Sequence, residues 1–142
     1  MKKTKYVLPV LGENILEEAE TSYKQNRCFT DEILLKLFSI YSTSLEKALE
    51  ILDRTKIVRY VCSNSKRSLY AIGKRDKQFR LFENPNFCFC ETFRKDVLEY
   101  NNLIMCEHVL ALKLAKITGG FNTEEMNDLH FVELLKMMSE TI

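Results

Sequence analysis

Four residues in the second half of the chain have the types and spacing of metal ligands. Two cysteines lie two positions apart, and after fifteen intervening residues a cysteine and a histidine are again two positions apart: Cys88, Cys90, Cys106 and His108. Thiolates and imidazole are the ligands that Zn²⁺ takes in structural sites, where four protein ligands surround it as a tetrahedron. The pattern therefore predicts one Zn²⁺ in a closed, structural site.

Other interpretations of these residues stay open at this point. Free cysteine is among the most buried residue types, so the thiols could simply fill a core. A catalytic zinc would keep an open position and use a nearby acid or base. Glu107 lies between two candidate ligands, but we expect it to be a solvated residue in the first turn of a helix. The chain has 5 cysteines, and an odd number argues against a complete disulfide framework.

The segments around the ligands predict how they converge. A strand over 87–90 would present the sulfurs of Cys88 and Cys90 on one face, because successive side chains alternate across a strand. Cys106 and His108 fall where a loop becomes a helix, so one ligand comes from the loop and the other from the first turn. Arg94, Lys95 and backbone N–H groups are expected around the anionic site.

The rest of the chain predicts an α+β fold: N-terminal helices, an antiparallel β-meander that carries the three-Cys one-His zinc site, and C-terminal helices. Thr30 is expected to cap the second helix, and Thr43 with Glu46 forms a capping box for the third. Strands are predicted over 57–62, 69–72, 77–82 and 87–90. Gly119-Gly120 ends the next helix, and Asn122 caps the last one. We expect a single domain over 1–142, divided into a helical part over 1–53, a zinc-finger region over 56–118 and a C-terminal helix over 121–140.

Composition and charge narrow the class of protein. With 142 residues, 46% of them hydrophobic and 29% charged, the chain is an ordinary globular protein. It shows no signal sequence and no apolar run long enough to span a bilayer, so we expect an intracellular protein. The net charge of +1 is unevenly spread. Nine basic and two acidic residues give 54–87 a charge of +7, whereas one basic and five acidic residues give 119–142 a charge of −4.

The basic segment suggests a second function class, direct nucleic-acid binding. Its charges are interleaved with aromatic residues, a pattern found in single-strand-binding surfaces. The candidate DNA contacts are Arg59, Lys66, Arg67, Lys74, Arg75 and Lys77. Aromatic residues on strands are more often core, and a net charge near zero supplies little long-range attraction for DNA. No feature favours an enzyme: His130 is expected at the surface, and Cys28 and Cys62 as ordinary buried cysteines.

At the four ligands the sequence resembles the SWIM zinc finger, whose pattern is Cys-x-Cys, a variable gap, Cys-x-His and an alanine three residues later, here Ala111. Over roughly residues 30–138, the order of the motifs resembles that of the small single-domain SWIM proteins of Shu complexes in homologous recombination. The resemblance implies a nuclear, noncatalytic adaptor in DNA repair. Such an adaptor pairs with a RecA-like recombinase paralogue and promotes filament assembly on single-stranded DNA. The chain has no Gly-x-x-x-x-Gly-Lys-Ser/Thr loop, so any ATPase belongs to the partner.

Overall fold

The computed structural model describes residues 2–74, 77–82, 88 and 90–140. In chain order its elements are α1 (Lys2–Asn26), α2 (Asp31–Tyr41), α3 (Thr43–Arg54), β1 (Ile57–Cys62), β2 (Ser68–Lys74), β3 (Lys77–Phe82), a π-helical segment (Phe93–Glu99), α4 (Glu107–Thr118), β4 (Asn122–Met126) and α5 (Asp128–Glu140). The predicted α+β class is confirmed. No helix in this described part of the chain combines the length and apolar character needed to cross a bilayer.

The N-terminal part is helical as predicted, with one of its two predicted caps in place. The Thr30 hydroxyl accepts a hydrogen bond from the Ile33 N–H at 3.3 Å, as a capping residue should. The predicted capping box at Thr43 is wrong, because the N-cap of α3 is Ser42 and its side chain makes no capping bond. Ser42 is the only residue between α2 and α3, with φ 51°. Thr43 is therefore already helical and cannot take the extended conformation of an N-cap.

The sheet has the order β3-β2-β1-β4, in which the first three strands form the predicted antiparallel meander. The fourth strand is a correction to the sequence prediction. Asn122 was expected to cap a helix spanning 121–140, but Asn122–Met126 instead pairs with β1 in parallel, and α5 starts only at Asp128. The polar sequence of β4 has no apolar alternation to reveal a strand; its hydrogen bonds to β1 create it.

The structure also differs from the prediction of a strand over 87–90. Phe87 and Phe89 lie outside the described residues, while Cys88 and Cys90 belong to no strand. After Cys90 the chain turns helical at once, with the Arg94 N–H donating to the Cys90 carbonyl at 3.2 Å. The π-helical segment that follows shows the wider turn in the bond from the Tyr100 N–H to the Lys95 carbonyl at 2.8 Å. The two thiols are therefore presented by irregular chain rather than by strand alternation.

Helix α4 lies between two hydrophobic clusters and supplies side chains to both. We call the first the sheet–metal cluster; it joins one sheet face to the cysteine ligands, and α4 contributes Val109, Leu112 and Ala115. The second, the helical cluster, packs α1, α2 and α3 together, and α4 contributes Leu110, Ala111 and Leu114. Residues three or four apart share a helix face, so two opposite faces of α4 are buried. The helix ends as predicted at Gly119, whose φ of 73° favours glycine.

Candidate metal centre

The structure brings the four sequence-predicted ligands into one buried group. Cys106 is the residue before α4 and His108 lies in its first turn, as predicted. Cys88 and Cys90 approach from the segment between β3 and the π-helical segment. None of the four side chains is more than 8% exposed. Cys106 makes no capping hydrogen bond to the helix, so its sulfur is available as a ligand.

The spacing of the ligand atoms fits a tetrahedral zinc site. One sulfur or nitrogen from each residue lies within 4.8 Å of all the others. The Cys88 Sγ and His108 Nδ1 atoms are 3.8 Å apart. Zinc bonds of about 2.3 Å to sulfur and about 2.0 Å to nitrogen place such atoms roughly 3.6 Å apart on a tetrahedron edge. The residues present therefore match Zn²⁺ in chemistry and number and lie close enough together to share one ion, which would cross-link the segment after β3 to α4.

Two contacts hold the ligands in place, and only the first of them is expected from the sequence. The Phe93 N–H donates to the Cys90 sulfur at 3.3 Å, which is the kind of backbone donor expected around bound thiolates. The Phe79 ring of β3 stacks on the His108 imidazole, with centroids 4.0 Å apart and planes 30° apart. Phe79 is one of the aromatic residues interleaved with the basic residues of segment 54–87. No local signal links it to a histidine 29 positions away.

The three thiols perturb one another strongly. Hydrogen bonds from Cys106 and then Cys88 hold the pKa of Cys90 well below its usual value. The pKa of Cys106 is raised, because its thiol is hydrogen-bonded to Cys88 and Cys90 and is also buried. For Cys88 the hydrogen bond with Cys106 lowers the pKa, but the hydrogen bond to Cys90, burial and the Cys90 charge outweigh it and raise the pKa to about 12. Without metal, these shifts favour the thiolate at Cys90 and the protonated thiol at Cys88 and Cys106.

Zinc affinity is therefore expected to rise with pH. Binding requires thiolates, so the protons on Cys88 and Cys106 must leave as the metal enters. With two protons released, the apparent association constant should increase by about a hundredfold for each pH unit between pH 7 and pH 8. Competition with a chelator of known proton affinity measures it. An affinity that does not change over this range would contradict the protonation scheme.

The charged residues around the ligands differ from expectation in part. Lys95 pairs with Glu91 at 2.7 Å, and this ion pair lowers the pKa of Glu91. Glu107 is half-buried rather than solvated, and its Oε2 atom has no hydrogen-bond partner among the described residues. It lines a cleft beside His108 together with Lys47, Arg54 and Glu50, and Glu50 forms an ion pair with Arg54 at 3.3 Å. Two basic and two acidic side chains therefore line this cleft, so it places no excess of positive charge beside the site.

The candidate DNA contacts are divided between the two ends of the sheet. Lys66 and Arg67 are exposed in the turn between β1 and β2. Lys74 and Lys77 face each other in the β2–β3 register at the opposite end. The seven residues of β2 separate the two groups, which is about 20 Å at 3.3 Å per residue. Arg59 is half-buried in the middle of β1, and Arg75 lies outside the described residues.

The interleaved aromatic residues do not form a stacking surface with these cations. Tyr70 is buried, and its ring packs edge-on against Phe121 with centroids 5.5 Å apart. The Phe79 ring is stacked on the His108 imidazole. The acidic strand β4 lies beside β1, so the register neighbour of Arg59 in β4 is Thr123 and not a second basic residue. Apart from Arg59, the described candidate DNA contacts therefore lie in two separate groups.

The remaining cysteines and the second histidine are separate from the centre. Cys62 is buried as predicted, and its thiol is hydrogen-bonded to the Asp128 carboxylate. Cys28 was expected to be buried but is exposed, because it lies in the short connection between α1 and α2. His130 is exposed on α5.

Comparison with known proteins gives matches along most of the chain. It is 26% identical over 131 residues to the human zinc finger SWIM domain-containing protein 7, covering 92% of this chain and 94% of that protein. It is 22% identical over 130 residues to the Danio rerio protein of the same name, with coverages of 92% and 93%. A homologue from Dictyostelium discoideum is 26% identical over 117 residues, covering 80% and 75%. No family model and no solved structure matches. These relatives confirm the resemblance to SWIM-type zinc finger proteins.

Proposed function

Since its relatives and its ligand set support a SWIM-type zinc finger protein, we propose that the chain is a noncatalytic, zinc-stabilised adaptor in homologous recombination repair. In this proposal it pairs with a RecA-like recombinase paralogue in the nucleus, as a subunit of a Shu-type complex. The pair promotes assembly of the recombinase filament on single-stranded DNA. The partner supplies the ATPase.

One observation carries the noncatalytic part of the proposal: the ligand set is closed and buried. Four protein ligands complete a tetrahedral zinc shell, whereas a catalytic zinc keeps a position for water or substrate. Cys106 is fully buried and Cys88 is only 2% exposed, so a substrate would have little access to a bound ion. A zinc ion held in this way supports the surrounding surface. The adaptor role itself follows the resemblance to small SWIM proteins, which the length match of the human relative supports.

Isolation of the tagged chain from its native cells, followed by mass spectrometry, tests the adaptor role. We expect a RecA-like protein in near-stoichiometric amount. The Cys106→Ala variant should lose this partner together with zinc, while Cys28→Ala, which changes an exposed cysteine outside the centre, should keep both. Recovery of zinc-loaded, folded protein with no RecA-like component would overturn the proposal.

Direct nucleic-acid binding by the chain alone is the second candidate, and the exposed turn with Lys66 and Arg67 favours it. If cations contact phosphates, affinity for single-stranded DNA falls with salt, by a logarithmic slope of about 0.7 for each contact. For an adaptor, we expect weak binding by the isolated chain and a basic contribution only within the complex.

Charge reversal at the two ends of the sheet separates the candidates. One variant carries Lys66→Glu and Arg67→Glu; the other carries Lys74→Glu and Lys77→Glu, at the opposite end of β2. In the complex, the variant whose reversed residues contact DNA should show a smaller dependence of DNA affinity on salt than the wild-type protein. The zinc content should be unchanged in both variants. Tight, strongly salt-dependent binding by the isolated wild-type chain would place direct DNA binding ahead of the adaptor role.

A further inference from the structure

Strand β4 leaves one edge of the sheet open. It pairs with β1 on one side, and among the described residues no strand pairs with its other side. Four of its five residues are exposed. An open strand edge presents unpaired backbone N–H and C=O groups, which another extended chain can use to add a strand.

The hydrogen bonds show which backbone groups face outward. The Met126 carbonyl accepts from the Ser63 N–H at 3.2 Å, so Met126 points toward β1. Backbone groups of alternate residues in a strand point to the same side. Asn122 and Glu124 therefore also bond toward β1, and the N–H and C=O groups of Thr123 and Glu125 face the open edge. They offer two donors and two acceptors to an added strand.

The side chains of β4 define the charge of the strand that could pair there. Glu124 and Glu125 are consecutive, so their exposed carboxylates lie on opposite faces of the sheet. Neither takes part in an ion pair with the other described residues. A second copy of β4 would bring acid against acid, which is destabilising across strands. A strand with two consecutive basic residues would instead place one cation beside each carboxylate.

We propose that the open edge of β4 binds an extended segment of a partner protein that carries two consecutive basic residues flanked by β-branched residues. The outward groups of Thr123 and Glu125 supply the pairing, and the two glutamates select the charge. This surface is separate from the metal centre, and its Met126 end lies beside Ser63, where the turn that carries Lys66 and Arg67 begins. The proposal rests on the adaptor function for the existence of a partner, but its test uses a defined peptide and zinc-loaded full-length protein.

The probe is a capped eight-residue peptide, Thr-Val-Thr-Lys-Arg-Thr-Val-Thr. Nuclear magnetic resonance titration should shift the amides of Thr123 and Glu125, and both should gain protection from hydrogen exchange. Thr123→Pro removes an outward N–H without removing a bond to β1, so it should weaken binding by about tenfold or more, the value of one or two backbone hydrogen bonds. Thr123→Ala is the matched control and should bind within about twofold of wild type.

Two further measurements distinguish strand addition from simple attraction of charge. A peptide of the same charge with proline at alternate positions should not bind, because it cannot supply the ladder N–H groups. The Glu124→Lys, Glu125→Lys double variant should prefer a peptide with Glu-Glu in place of Lys-Arg, and it tests the edge even if Thr123→Pro fails to fold. The proposal is overturned if the proline peptide binds equally well, if the double variant keeps its preference, or if the edge instead mediates self-association. If the peptide does not bind but a RecA-like partner is still recovered from cells, the edge of β4 is not the binding surface. The adaptor proposal is then unaffected.

Discussion

Replacing Cys106 with alanine is expected to abolish stoichiometric zinc binding and to unfold the region that the metal cross-links. Structural zinc contributes on the order of 10 kcal/mol or more, comparable with the roughly 5–15 kcal/mol that stabilises a whole domain. Cys106 is fully buried at the start of α4 and belongs to the sheet–metal cluster. Losing this ligand therefore removes the link between α4 and the segment after β3 while leaving three ligand groups incompletely coordinated.

Metal analysis, far-ultraviolet circular dichroism and denaturant unfolding measure this effect. The wild-type protein should carry one zinc, and a strong chelator should reproduce the loss of structure seen in Cys106→Ala. Cys28→Ala removes a thiol at an exposed position and should retain both the metal and the fold. Well under half an equivalent of zinc in the wild-type protein, with no structural change in chelator, would contradict a structural metal centre.

Truncating the two buried faces of α4 is expected to produce similar losses of stability but different losses of metal affinity. Leu112 and Leu114 are both fully buried. Each leucine-to-alanine change should lower the free energy of unfolding by about 2–5 kcal/mol, through lost apolar contacts and the cavity left behind. Leu112 shares the sheet–metal cluster with three cysteine ligands, whereas Leu114 lies in the helical cluster. Only Leu112→Ala should loosen the ligand group.

Denaturant unfolding of the zinc-loaded variants gives the stability change, and chelator competition gives the metal affinity. Leu114→Ala serves as the control for loss of a leucine side chain from the same helix. Equal zinc affinities in the two variants, despite equal destabilisation, would show that packing around α4 does not position the ligands. A loss below about 1 kcal/mol at both sites would contradict the burial of both faces.

The sequence by itself determined the features that depend on local chemistry. Residue types and spacing predicted that Cys88, Cys90, Cys106 and His108 form one group, because each close pair is recognisable from the local sequence. Local rules also placed the cap at Thr30 and the end of α4 at Gly119. The three antiparallel strands were predictable because turn formers separate runs of β-branched and aromatic residues.

The tertiary structure alone decided what depends on partners distant in the chain. Strand β4 exists because β1 pairs with it, and its own residues do not favour a strand. Cys88 and Cys90 converge from irregular chain, and Phe79 reaches His108 only because β3 and α4 pack together. The +7 segment was one block in the sequence, but pairing of β1, β2 and β3 sends its two basic turns to opposite ends of the sheet. In each case the deciding interaction joins residues far apart in the chain, so neither local propensity nor residue spacing could predict it.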